Sequence, residues 1–170
     1  MSDDEQVMWA GRFVTAVKQG QWEYVRRSRG ISAVVIEAIV AGKLVLVEQQ
    51  RVPIGAPCLE LPAGLVGDDE GGEGDTIARA AMRELEEETG YRAGRIETVG
   101  EFYSSPGMVS EAFTLVRAHD CVKVGEGGGV HGENIVVHEV ALDSLADFVA
   151  KKRSEGVGID VRVMAYLVGR

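Results

Sequence analysis

Four glutamates, Glu84, Glu86, Glu87 and Glu88, crowd one short stretch of this chain, with Arg83 the adjacent cation. The neighbouring Ala, Arg, Met and Leu residues are good helix formers. Asp75 is suited to cap the start of that helix and Gly90 to end it in the left-handed conformation. The cluster then falls at the helix C-terminus, where the dipole disfavours anions. Glu84 and Glu88 form a like-charge pair four residues apart, which costs roughly a few tenths of a kcal/mol more. A generic acidic run is a solvated face, but the helical wheel argues against that here. At about 100° per residue, Glu84 and Glu88 fall beside Ile77, Ala81 and Leu85, while Glu86 and Arg79 take the far side. Carboxylates turned toward an interior need partners, and the nearby cations are too few. A divalent cation is the economical partner, because magnesium is bound by carboxylate oxygens together with substrate phosphates.

The elements that must hold this helix are legible on either side of it. Residues 1–6 are polar and acidic and read as a frayed end. Between Trp9 and Arg27 lie two strand-like pieces around Gln19-Gly20. Ser32–Val40 and Leu44–Gln49 are β-branched apolar runs separated by Ala41-Gly42-Lys43, a hairpin pattern. Leu59 to Pro62 is a short strand that the proline closes. Gly64 to Gly74 reads as a Gly- and acid-rich loop. After the helix, Ile96–Tyr103 and Glu111–Ala118 are strands flanking a Ser-Ser-Pro-Gly turn, Val124–Gly132 is a second Gly-rich loop, and Ile135–Val140 is a strand. Asp143 is placed to cap a helix to about Arg153. Asp160–Val168 reads as a last short helix with Val163, Met164, Leu167 and Val168 on one face. This order predicts an α/β domain spanning residues 1–170, a mixed sheet between helices.

Composition narrows the function classes. Lys and Arg total 18 against 27 Asp and Glu, a net charge of −9, with no basic stripe, so a nucleic-acid partner is not expected. Anionic substrates remain accessible if a divalent cation stands between them and the protein. Cys58 and Cys121 form no CxxC pair and read as reduced thiols of a cytoplasmic protein. The N-terminus lacks the basic-then-apolar pattern of a signal peptide. The most apolar stretch, Ile31–Val47, is interrupted by Glu37, Gly42 and Lys43, so no membrane partner is expected. His131 and His138 lack metal-ligand spacing and read as structural. Trp22 and Tyr24 read as core or dimer-interface packing in preference to base stacking.

Arg83-Glu84-Leu85-Glu86-Glu87-Glu88-Thr89-Gly90-Tyr91 resembles the core of the Nudix box. The first half of that signature departs from pattern: Asp75 stands where a glutamate is usual, and the loop from Gly64 is five residues longer. Outside the box, Val45–Arg51, Leu59-Glu60-Leu61-Pro62-Ala63-Gly64, Ser105-Pro106-Gly107-Met108-Val109-Ser110-Glu111 and Gly132–His138 resemble the branch that hydrolyses ADP-ribose and other nucleoside diphosphate sugars. The resemblance covers roughly Trp9 to Leu167. It implies an α/β/α Nudix fold with N-terminal antiparallel strands.

It also implies a set of site residues. Glu84, Glu88, Glu133 and the Ala63 carbonyl would bind two or more Mg²⁺, with Mn²⁺ a substitute. Glu87 is a further catalytic candidate and Arg83 an ion-pairing support. Glu126 and Glu133, on the late Gly-rich loop, are the candidates for a general base, which diphosphate hydrolysis needs to take a proton from the attacking water. Arg51 would contact the diphosphate, and Ser105, Pro106, Gly107 and Glu111 would select the substrate. The expected reaction is cleavage of ADP-ribose to AMP and ribose 5-phosphate. The alternatives are another nucleotide (a GDP-sugar, a dinucleoside polyphosphate or a damaged nucleoside triphosphate) or a non-catalytic nucleotide-binding module. The branch also implies a homodimer, for which residues 9–27 are the expected crossing element.

Overall fold

The computed structural model describes residues 4–28, 31–67, 76–130 and 132–168. Its first element is a three-stranded antiparallel meander, β1 (Gln6–Ala10), β2 (Val14–Gln19) and β3 (Trp22–Arg27). The expected pair of strands is thus three. Of the expected frayed end, residues 1–3 lie outside the described residues, while Gln6 is paired with Lys18 and Glu5 accepts hydrogen bonds from Tyr24 and Arg26.

The central sheet is built around β4 (Ser32–Val40) and β5 (Lys43–Arg51). They form the expected hairpin for only one step beyond the turn, Ile39 opposite Leu44 and Val40 opposite Lys43, and then diverge. The chain from β6 (Ala56–Glu60) to β7 (Ala63–Val66) fills this fork. β6 pairs with β5, the Pro62 carbonyl accepts the Ile36 N–H at 2.8 Å, and β7 pairs with β4 from Ala63 opposite Val35 to Val66 opposite Ser32. Gly64–Val66 is therefore strand, where a loop was expected. Pro62, with no N–H to give, stands at the break between the two strands and contributes only its carbonyl.

α1 (Ile77–Thr89) follows, then β8 (Tyr91–Arg92), β9 (Arg95–Tyr103), β10 (Ala112–His119), β11 (Val122–Lys123), β12 (Val136–Ala141), α2 (Leu145–Ser154) and β13 (Gly158–Ile159). β10 runs parallel to β4 and antiparallel to the edge strand β9; β12 lies along β5, and β13 along β6. The alternation along β4 sorts the core into two layers. Val34, Ile36 and Ala38 pack with Ala80, Ala81 and Leu85 of α1. Val35 packs with Leu145 and Val149 of α2. The sheet is sandwiched as expected.

Two capping expectations and the type of the last helix are corrected. Thr76 caps α1 through its hydroxyl, which accepts the Arg79 N–H at 3.3 Å; Asp75 lies outside the described residues. Asp143 sits inside a 3-10 turn, Leu142–Ser144, and Ser144 precedes α2 without a side-chain cap bond. The last helix is a 3-10 segment, Val161–Tyr166, which Asp160 caps by accepting the Arg162 N–H. Its three-residue period sets Val163 and Tyr166 inward and leaves Met164 and Val168 exposed, so the predicted apolar face is only partly buried.

Candidate active site

The helix places its glutamates by period. Glu86 and Arg79 lie on the outer face, where Glu86 accepts two hydrogen bonds from Arg92 at 2.8 Å. Glu88 is 6% exposed, and its Oε2 accepts the Ala63 N–H at 3.1 Å. Glu84 is half-buried against β7. A methyl group on Gly64 would lie 2.0 Å from Glu84 Cδ, so a side chain there would displace the Glu84 carboxylate from its place against β7. Arg83 donates to Glu84 Oε1 at 3.2 Å and to the Leu65 carbonyl at 3.3 Å, tying the helix to the same strand.

Burial pushes the Glu88 carboxyl up to about 8, assisted by the charges of Glu84 and Glu133 and opposed by the Ala63 N–H. Glu84 is raised as well, first by burial, with Glu87 and Glu133 adding to it. Two inward carboxylates held together against their own repulsion would be a donor set for a hard cation. Among the described residues, no three His, Cys, Asp or Glu side chains gather as a closed metal cage. Magnesium uses one or two carboxylates and takes its remaining oxygens from water and substrate phosphate. The residues present fit the group.

The late Gly-rich loop caps the C-terminus of α1. The N–H groups of Gly128 and Gly129 donate to the carbonyls of Glu88 and Glu87, and those of Val124 and Gly125 to that of Gly90. Lys123 Nζ donates to the Thr89 carbonyl at 2.9 Å. Carbonyls that would otherwise end the helix unpaired are thus satisfied by the loop. The loop can lie this close because Gly90 and Gly127 carry positive φ and no side chain: a methyl group on either would lie 2.1 or 2.5 Å from the facing backbone. The same loop brings Glu133 within electrostatic reach of Glu84 and Glu88. Glu133 is exposed, and its Oε2 accepts the Val130 N–H at 3.0 Å. Glu126 is exposed, between Gly125 and Gly127, which pack against the end of α1.

A cleft of about 370 Å³ opens beside this helix, lined in part by Arg51, Ala63, Gly64 and Glu111. Sequence reasoning gave site roles to Arg51, Ala63 and Glu111, but none to Gly64, Arg27, Ser104, Asp160 or Arg162, which line it too. It also missed Glu60, which lies behind the cleft. Arg51 binds Glu60 through two hydrogen bonds of 2.7 Å, and Arg27 binds Glu111 at 2.5 Å. A signal for Glu60 was available, since a carboxylate between two leucines of a buried strand demands a cation. Nothing local marked Arg27 or Arg162.

Ser105, Pro106 and Gly107 are placed elsewhere. The Ser105 carbonyl closes a turn with Met108 and Val109. Pro106 and Gly107 face a second cavity of about 320 Å³ with Gln19, Trp22 and Tyr24. Trp22 is 61% exposed, so core packing is not its role in a single chain. His138 is 2.9 Å from Glu48 and edge-on to Phe148, a structural setting; His131 lies outside the described residues. Cys58 and Cys121 are free thiols.

Comparison with known proteins agrees with this geometry. The family model described as the NUDIX domain matches residues 27–158. The chain is 37% identical to the ADP-sugar pyrophosphatase of Mus musculus, over 88% of this chain and 73% of that protein. It is 36% identical to the GDP-mannose pyrophosphatase of Cronobacter sakazakii, over 73% of this chain and 64% of that one. Its fold matches the crystal structure of an ADP compounds hydrolase with a TM-score of 0.67 at 22% identity, covering 86% of this chain and 80% of that one. The match across residues 27–158, the inward glutamate pair and the closeness to these relatives make this chain a Nudix hydrolase of the ADP-ribose and nucleoside diphosphate sugar pyrophosphatase branch.

Proposed function

We propose that this chain hydrolyses the diphosphate of ADP-ribose, giving AMP and ribose 5-phosphate, or that of a closely related nucleoside diphosphate sugar, with Mg²⁺ as its cofactor. The observation that carries this reading is the convergence of Glu84 and Glu88 beside Ala63 and Gly64, directly next to an arginine-bearing cleft. Glu84, Glu88, the Ala63 carbonyl and Glu133 would hold the cation. When bound, it supplies neutralisation of the diphosphate charge and lowers the pKa of water. Arg51 offers donors to phosphate oxygens at the cleft. Glu133, carried by the loop that caps α1, is suited to take the proton of the attacking water, with Glu126 and Glu87 as the other candidates. Arg83 holds Glu84 to β7. Ser105, Pro106, Gly107 and Glu111 are proposed to select the substrate, from the second cavity and the cleft. A GDP-sugar is the second reading, favoured by the GDP-mannose pyrophosphatase among the relatives.

The test is a panel of ADP-ribose, GDP-mannose, a UDP-sugar, diadenosine polyphosphate and dGTP with Mg²⁺, analysed for phosphate-ester products, run beside Glu88→Gln. The expected outcome is fastest cleavage of ADP-ribose, reduced by about 10²–10⁴ in kcat in the variant. Fastest cleavage of GDP-mannose moves the substrate to the second reading. No cleavage of any member, with tight nucleotide binding, makes the chain a binding module.

A further inference from the structure

The C-terminal turn adds Arg162 to the Arg27 and Arg51 of the cleft, and its setting is specific. Glu60 is 3% exposed, and both its oxygens are taken by Arg51. Arg162 Nη2 is 3.5 Å from Glu60 Oε2 on the other side. Arg162 in turn grips Asp160 at two points, 2.6 and 2.7 Å, and its guanidinium lies 5.6 Å from the centre of the Phe113 ring. Asp160 donates its N–H to the Leu59 carbonyl, and Ile159 pairs with Leu59, so the turn is stitched to the strand that carries Glu60. Charges alternate along this row: Arg51, Glu60, Arg162, Asp160. Arg51 is itself 43% exposed and is anchored by its pair with Glu60.

We infer that Arg162 is a positioning residue, holding Glu60 and through it aiming the Arg51 guanidinium at the substrate. The inference rests on the proposed reading of Arg51 as a substrate contact. Without Arg162, the half-buried Asp160 and the buried Glu60 are left with one cation between them. Arg51, already within electrostatic reach of Asp160, is then drawn toward the back of the cleft. Lysine at 162 keeps the charge but not the planar fork that spans two carboxylates, so it does not substitute fully.

The test is a double-mutant cycle on the panel member cleaved fastest, measuring kcat and KM for Arg51→Ala, Arg162→Ala and the double variant, each checked by thermal melting. Arg162→Ala is expected to raise KM about tenfold, the scale of one lost charged hydrogen bond, with a smaller change in kcat. Combined with Arg51→Ala it should add nothing further, because it acts through Arg51. If it lowers kcat/KM by the same factor in both backgrounds, its role is independent or structural and the inference is overturned. If Arg162→Ala has no effect while Arg51→Ala does, the inference fails and the reading of Arg51 stands. If Arg51→Ala has no effect, the reading of Arg51 itself falls, and the inference with it. Should Arg162→Ala fail to fold, Arg162→Lys runs the same cycle, with a raised KM at an unchanged melting temperature expected and an unchanged KM overturning it.

Discussion

At the residue scale the proposed chemistry turns on Glu88. Its carboxyl is held near 8 against an ordinary 4.5, because burial removes water from the charge and the one N–H it receives does not compensate. In the absence of a divalent cation the folded chain therefore keeps a proton on Glu88 that the unfolded chain has lost, over the window between those two values. The unfolded state binds fewer protons there, so stability falls as pH rises from about 4.5 to about 8. Glu88→Gln is expected to flatten that slope. A cation that binds the ionised carboxylate must displace the proton, so binding strengthens with pH. Scanning calorimetry at pH 5 and pH 8 should show Mg²⁺ raising Tm more at pH 8. An equal shift at both values would mean that Glu88 is not a ligand.

At the scale of elements, the decisive contact joins the end of α1 to the late Gly-rich loop. Gly127 has φ +72°, and a methyl group there would meet the Thr89 carbonyl carbon at 2.5 Å. Gly127→Ala therefore combines an unfavourable backbone conformation with a clash against backbone that cannot swing away. It is expected to destabilise the chain by about 1–3 kcal/mol, read as a lowered urea midpoint, and to lower kcat as well because Glu133 travels with the loop. Normal kcat with a lowered midpoint would detach the loop's structural role from catalysis. Glu133→Gln and Glu126→Gln divide the remaining question: a loss of about 10²–10⁴ in kcat is expected for Glu133, and near wild-type rates for both would remove the general base from this loop.

For the whole molecule, the N-terminal meander is the unusual part. It joins the sheet domain through the hydrogen bonds of Val25 to Met108 and Ser110 and through the Arg27–Glu111 pair. It leaves Val7, Met8, Trp9, Phe13 and Trp22 more than half exposed. A three-stranded sheet with that much uncovered apolar surface is what a second copy of the chain would cover. Light scattering is expected to give a dimer for the wild type and a monomer for the combined Met8→Ser, Phe13→Ser variant; a monomeric wild type would remove the dimer. Among the described residues, no helix is long and apolar enough to cross a membrane.

Sequence alone determined what depends on neighbours within a helical turn or a strand repeat. The period of α1 was enough to turn Glu84 and Glu88 inward and Glu86 outward, and Gly90 to end the helix, because side-chain direction follows from spacing once a helix forms. The sandwich of helices and mixed sheet followed from the order of elements. Strand ends and caps were less legible. Asp75 and Thr76 are both able to cap α1 by residue type, Asp the more so, and Gly64-Leu65-Val66 lacks a pattern that separates strand from loop. What only the tertiary structure decided is the company each residue keeps. β4 and β5 diverge because β6 and β7 enter between them, and that fork is what brings Ala63 and Gly64 to Glu88 and Glu84. Arg27, Glu60 and Arg162 come from three distant stretches of chain, and their pairing with Glu111, Arg51 and Asp160 is set by strand register as well as by local turns. The charge of a residue is written in the sequence, but its partner across a sheet is fixed only when the strands align.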